Sequence, residues 1–401
     1  MDSRIFLLPL GAFAIGTGNI VFVGVLEPLA NDLGVSIAVA GQLATAFAVA
    51  YALSAPLLVS LTARLPRRPV LVTALIVFTL ANAGMTLAPT FAALVPMRIV
   101  AAFAAALYMP VAMGVAVTLA GPGQQGRAMA IVLFGLTAAF LGGIPLGTWL
   151  GSVSGWRASF GFSAILGLVS LAVIAPVLPR LPGTRSRGLR GIGVIARPAV
   201  AGTLVVTALA FVAVFCTNAY IGPILTRAAD LDGKGIALMQ VLLGIGGVLG
   251  VPLGGLIADR RRSLAVVAAM LGAILLAQPV YSLFMLVPGW SGTAASVIFI
   301  GMAMVLASAA LFALGPIQQD RLIALAPDER DIVLSLNASA LFLGQGIGAV
   351  IGGVTAHHFG LAANGFAGAI IAAACVAGIL AIAANRRTFS VAAEGTTDEH
   401  R

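Results

Sequence analysis

Arg98 stands alone in a run, 92–119, whose other members are almost all apolar. A bare guanidinium in lipid costs at least about 2.5–3.5 kcal/mol on insertion scales, so this one should face a polar interior. The competing reading is a side chain that snorkels to the outer interface. Asn19, in the run 5–27, can donate and accept hydrogen bonds but cannot carry a proton at ordinary pH. Glu27, just before Pro28, is the nearest acid, and it is open to two readings: a group that titrates, or a solvated charge at a helix end. Gly135, Gly142, Gly143, Pro145, Gly147 and Gly151 fall in one apolar stretch. Small residues there let helices approach closely, and proline bends a helix. With 48 glycines in the chain, generic packing is the alternative. His357 and His358 are neighbours, so on a helix they point in different directions and make no metal site; they read as interface residues. Cys216 and Cys375 lie in apolar runs and read as small buried hydrophobes. No paired acids, HExxH or Ser/His cluster stands at membrane depth, and no Walker motif occurs. Those absences argue against an enzyme, a bound cofactor or ATP drive within the chain.

The elements that hold these residues follow from composition. Of 401 residues 60% are hydrophobic and 9% charged, against roughly 25% charged in a soluble domain. Hydrocarbon is the solvent that fits. Crossing it takes about 20 apolar residues per helix. Twelve runs qualify: 5–27, 40–62, 70–88, 92–119, 128–150, 160–178, 199–223, 236–257, 264–287, 291–314, 332–356 and 362–384. They are numbered spans 1 to 12. They do not alternate polar and apolar residues as barrel strands do. The first run is too long for a signal peptide and reads as a retained helix. The net charge is +9, but the basic residues form short clusters between spans, which points to membrane orientation and away from nucleic acid. Eighteen Lys and Arg fall on the side that bears both termini and three on the other. That bias places both termini in the cytoplasm.

The chain divides near its middle. Residues 1–178 form an N-terminal six-helix bundle, 179–198 a basic cytoplasmic linker, 199–387 a C-terminal six-helix bundle, and 388–401 a disordered cytoplasmic tail. An internal repeat supports the division. APLLVSLTARLPRR from Ala55 aligns with VPLGGLIADRRR from Val251 at an offset of 196, matching Pro56 to Pro252 and Arg64 to Arg260. A weaker echo relates GGIPLGTWLG from Gly142 to GIGAVIGGVT from Gly346 at about 205. Two echoes in order mark duplicated halves.

At these residues the chain resembles the major facilitator superfamily, in particular its bacterial drug and sugar efflux branch of proton antiporters. The similarity runs from FAIGTGNIVFVGVLEPLANDLGVS through GIPLGTWLGSVSGWRASF and LAPDERDIVLSLNASALFLGQGIGA to the last span. The resemblance implies an all-α membrane protein of twelve transmembrane helices in two pseudo-symmetric bundles, with the central site lined by spans 1, 4, 7 and 10. It implies a secondary active transporter of the inner membrane, without cofactor, that exports a small hydrophobic or amphiphilic solute by alternating access driven by proton antiport. The alternative is an exporter or passive facilitator for sugars, nucleosides or amino acids. The expected partners are the solute, protons and the lipid bilayer, with the protein a monomer. The branch's loop signature, Gly-x-x-x-Asp-Arg and a basic cluster, is intact after span 8 as Gly255, Asp259 and Arg260. After span 2 it is reduced to Arg64, Arg67 and Arg68, with Val59 and Ala63 in place of the glycine and aspartate. These residues are the candidate cytoplasmic gate; the bland reading is that they only set topology. Arg98 follows Leu94 at the branch's Leu-x-x-x-Arg spacing, where the arginine is linked to proton coupling. Gly142, Gly143, Pro145 and Gly147 match the antiporter motif of span 5. Asn19 departs from the branch, which often has glutamate there, and this leaves Glu27 as the other proton-coupling candidate. Asn19, Tyr108, Met109, Asn218, Tyr220, Met302 and Ser308 are the polar or soft residues of the four central spans and the candidate cavity lining, with ordinary interhelical packing as the alternative for each.

Overall fold

The computed structural model describes residues 2–121, 124–183, 193–260 and 264–398, excepting the side chains of 258–260, 331 and 382–398. Among them are twelve helices long and apolar enough to span: Ser3–Asp32, Ile37–Thr62, Arg67–Leu87, Phe91–Leu119, Gln125–Ser154, Arg157–Val177, Pro198–Asn218, Gly233–Ile257, Leu264–Leu286, Ala294–Leu325, Ile332–Phe359 and Leu361–Ala381. No strand occurs among the described residues. Each expected span coincides with one of these helices. The largest shift is span 10, which continues eleven residues past its apolar run to Leu325. Its polar extension stays helical because Gln318 finds partners: its Nε2 donates to the Thr203 carbonyl at 3.0 Å. Residues 388–401, expected to be disordered, are helical as far as Asp398. The alanines and glutamate of that stretch are good helix formers. Of the linker, 184–192 and its Arg185, Arg187 and Arg190 lie outside the described residues. Its first residues pack on the connection after span 2, where the Arg67 N–H donates to the Leu181 carbonyl at 2.9 Å.

Glycine ladders set the helix packing. On span 5, Gly143, Gly147 and Gly151 recur every four residues and lie against Thr17, Val21 and Val25 of span 1, themselves four apart. On span 11, Gly344, Gly348 and Gly352 lie against Ala208, Val212 and Cys216 of span 7. A methyl group on any of these six would overlap its neighbour. The two ladders occupy equivalent places in the two halves, and Gly143 and Gly147 relate to Gly348 and Gly352 by the offset of 205 seen in the sequence. The second echo is therefore a shared contact stripe. A third ladder, Gly246, Gly250 and Gly254 of span 8, packs on span 10 at Val305, Ala309 and Ala313. Gly142, Pro145 and Gly255 take different parts. Gly142 and Gly255 face open space, so it is their neighbours Gly143 and Gly254 that bring helices together. Pro145 follows a π-turn over Ala139–Gly143, which locally re-aims span 5.

The two bundles meet along span 2 with span 11 and span 5 with span 8. The end away from the termini is sealed: Gly222 lies on the Val23 carbonyl, Gly41 on the Tyr220 ring, Gly353 on Gln42, and Gly233 on Ser152. A corner of the same end is tied by Arg157, which pairs with Asp32 at 2.6 Å, while the Trp156 indole donates to the same carboxylate at 3.0 Å. Toward the termini the halves part. Span 2 has no buried residue from Pro56 to Thr62, and a separate apolar cluster forms around Val200, Leu204, Leu322 and Val333 of the second half alone.

Candidate functional site

Span 1 is a discontinuous helix. An α-helix runs Leu8–Ile20, a 3-10 stretch Val21–Val25, and a second α-helix Leu26–Asp32. Gly24 and the β-branched valines disfavour a continuous α-helix, and Pro28 removes a backbone donor one turn further on. A break leaves the last carbonyls of the first segment without helical partners. In a membrane such groups need another donor.

Arg98 supplies it. Its Nη1 donates to the Gly18 carbonyl at 2.7 Å, its Nη2 to the Asn19 carbonyl at 2.6 Å and its Nε to the Leu43 carbonyl at 3.4 Å. The Phe22 and Phe47 rings both pack against it, with centroids 4.6 and 4.7 Å from the guanidinium carbon. The side chain is 0% exposed, so it does not snorkel. Among the described residues no carboxylate pairs with it. The compensation comes from carbonyls at a helix C-terminus, where the backbone dipole favours a cation, and from two aromatic faces. The planar fork suits this multidentate role in a way that a lysine does not.

From Arg98, two contacts lead across to the second half. Asn19, whose carbonyl holds Arg98, accepts through Oδ1 from Gln345 Nε2 at 3.4 Å. Phe47 packs on Phe342 at 6.3 Å, and Phe342 stacks on Tyr51 at 3.6 Å. Phe342 and Gln345 are three residues apart on one face of span 11. A further bridge joins span 5 to span 8, where the Thr148 hydroxyl donates to Gln240 Oε1 at 2.7 Å. Beside it, Ile20, Phe140, Asn218, Gln240 and Leu243 line a cleft of about 10 Å³, room for one water. The interface is thus contracted in this conformation.

The seven expected cavity residues separate. Asn19 and Asn218 lie at the interface between the halves. Tyr108 is buried and its hydroxyl donates to the Leu8 carbonyl at 2.9 Å, and Met109 is buried on the same span. The Tyr220 hydroxyl donates to the Ala349 carbonyl at 2.9 Å and that of Ser308 to the Leu243 carbonyl at 2.6 Å. Met302 does not line the interface. It is 51% exposed on the outer, lipid-directed surface, because the helical period turns position 302 away while Gly301 and Met304 face inward. Glu27 is half-buried toward the sealed end, and Arg98 has its donors elsewhere. Of the gate residues, Arg64 is exposed and Arg67 and Arg68 are half-buried; the side chains of Asp259 and Arg260 lie outside the described residues. Sequence reasoning missed Gln240, Gln345 and Thr148, since it confined the site to spans 1, 4, 7 and 10. The signal was present: amides isolated in apolar runs are costly and demand partners.

The Major Facilitator Superfamily family model matches residues 8–318. The Bacillus subtilis protein named "Uncharacterized MFS-type transporter YbcL" is 31% identical over 368 residues, 92% of each chain. The Escherichia coli "Inner membrane transport protein YdhP" is 33% identical over 356 residues, 88% of each chain. Among solved structures, an inward-facing, unoccupied bacterial homolog of the human lysosomal transporter Spinster superposes with a TM-score of 0.75 at 17% identity, covering 94% of this chain and 97% of that one. A D-xylose-proton symporter gives 0.71 at 17% identity, covering 94% and 95%.

Proposed function

The chain belongs to the major facilitator superfamily, and we propose that it exports a small hydrophobic or amphiphilic solute across the inner membrane by alternating access, driven by inward movement of protons. The observation that carries the reading is the asymmetric interface: tight glycine contacts at one end, separated halves at the other, and between them a contracted cleft crossed by short polar bridges and by the packing of Phe342 on Phe47 and Tyr51. With both termini cytoplasmic, as the Arg and Lys distribution supports, the sealed end is external. Rocking about the cleft opens that end by breaking Asn19–Gln345 and Thr148–Gln240 and closes the other. Arg98 stays charged and serves as a fixed cation that holds the break in span 1. The face of span 11 bearing Phe342 and Gln345 senses its position. Glu27 is the proton carrier in this scheme, exposed when the external end opens. The aromatic and amide character of the interface supports an amphiphilic solute.

One observation favours a second reading, a passive facilitator: among the described residues the buried arginine has only backbone carbonyls and no acid beside it, so no carboxylate–arginine exchange of protons is built into the core. Proteoliposomes with an imposed pH gradient separate the two. Solute flux that follows the gradient, and loses that dependence in Glu27→Gln, supports antiport. Flux indifferent to the gradient removes antiport and leaves facilitated passage.

A further inference from the structure

The distribution of carboxylates bears on which charges the site can take. Resting on the reading of this chain as a transporter with its site between the halves, we propose that the solute is uncharged when bound: an amphiphile recognised by amides, hydroxyls and aromatic faces, with lipophilic cations excluded. All thirteen Asp and Glu residues lie in connections, in the tail, or within six residues of the end of a span. The middle of the membrane holds none. What the interface offers at that depth is Asn218, Gln240, Thr148 and Gln345, with Tyr51 and Phe342 stacked beside them.

A cation entering the cleft would leave water without a carboxylate to meet it, and an unpaired buried charge is strongly unfavourable. It would also approach a fixed positive charge. Asn19, whose carbonyl holds Arg98, is followed directly by Ile20 of the cleft wall. An anion finds no compensating partner. Arg98 is fully buried, each of its three nitrogens donates to a backbone carbonyl, and the Phe22 and Phe47 rings pack against its guanidinium, so a carboxylate or sulfonate in the cleft does not reach it. An uncharged solute loses only ordinary hydrogen bonds to water, which the amides replace.

The test uses the full chain in a strain stripped of efflux pumps, with four fluorescent or radiolabelled probes. Ethidium and tetraphenylphosphonium are permanent cations; Nile red and N-phenyl-1-naphthylamine are uncharged. Expressing cells should hold at least twofold less of one or both uncharged probes than vector controls, with both cations unchanged. Twofold lower ethidium or tetraphenylphosphonium overturns the proposal, and so does no change in either uncharged probe. Gln240→Glu, which puts a carboxylate in the cleft, should cut uncharged-probe export at least fivefold; Asn218→Asp replaces it if the first variant fails to reach the membrane. Unaltered export by a membrane-resident variant overturns the placement. Collapsing the pH gradient with an ionophore distinguishes the two readings. Export of uncharged probes that survives collapse sinks proton antiport and leaves the charge rule, whereas gradient-driven export of a cation does the reverse.

Discussion

The same structural problem, a membrane helix that breaks and then resumes toward the sealed end, is solved differently in the two halves. In the first half the freed carbonyls of Gly18 and Asn19 are held by the guanidinium of Arg98. In the second, span 7 ends at Asn218 and a short helix resumes at Ile221. There a neutral amide serves: Asn364 Nδ2 donates to the Cys216 carbonyl at 3.0 Å, and the Thr217 hydroxyl donates to Gln278 Oε1 at 2.9 Å. Pro110 and Pro316 fix an offset of 206 between spans 4 and 10, which puts the buried Met304 where Arg98 stands. Duplication thus preserved the break and the glycine ladders, but only one half carries a charge at its core. Hydrogen bonds from an ionised donor are roughly twice as strong as neutral ones, so the first half should be the more rigid element and the more sensitive to substitution.

Making the halves alike is the strongest way to break the contrast. Arg98→Met should abolish transport, because it strands carbonyls whose desolvation costs about 1–3 kcal/mol each. Arg98→Lys should not restore it, since one ammonium cannot span three carbonyls. Flux in proteoliposomes, beside size-exclusion profiles to show a folded protein, checks both; wild-type flux in either variant would refute the role given to Arg98.

The glycine ladders make a prediction of equality. Gly147→Val and Gly352→Val should each lower stability by about 1–3 kcal/mol through overpacking, read as a drop in thermal midpoint in detergent. Gly142→Val and Gly255→Val, facing open space, should stay within about 0.5 kcal/mol of the parent. A reversed order would mean that the ladders are not the contacts that count.

Smaller effects are expected where the halves touch. Gln345→Ala removes one inter-bundle hydrogen bond, worth about 0.5–1.5 kcal/mol net. The sealed end should then open about two- to tenfold more often, measured by maleimide labelling of a cysteine introduced in place of the buried Val23. Labelling at the parental rate would show that this bond does not help seal the end.

The smallest effect tests one methylene. Asn82 and Gln278 are equivalent at the offset of 196. Gln278 reaches Thr217, whereas Asn82 Oδ1 and Thr17 Oγ1 are both buried without partners. Asn82→Gln should therefore raise stability by up to about 1 kcal/mol and Gln278→Asn should lower it by a similar amount. Two shifts of the same sign would show that the pair is not equivalent.

Much of this was legible in the linear chain. The apolar runs give twelve spans because hydrocarbon tolerates only long, internally bonded segments, and Arg98 stood out because a lone charge in such a run has to be compensated. Its partners were not legible. Carbonyls carry no side-chain identity, so no residue type at Gly18, Asn19 or Leu43 announces that it accepts from an arginine 55 to 80 positions away. Gly254 and Gly255 are likewise indistinguishable as letters, and a rotation of about 100° about the helix axis decides which one meets span 10. Gln240 and Gln345 were visible as polar exceptions, but their placement across from Thr148 and Asn19 depends on how one bundle is seated on the other. Periodicity and solvent preference are local properties and can be read from composition and spacing. Which atom faces which, across helices distant in sequence, is settled only when packing chooses a rotation and a depth for each helix.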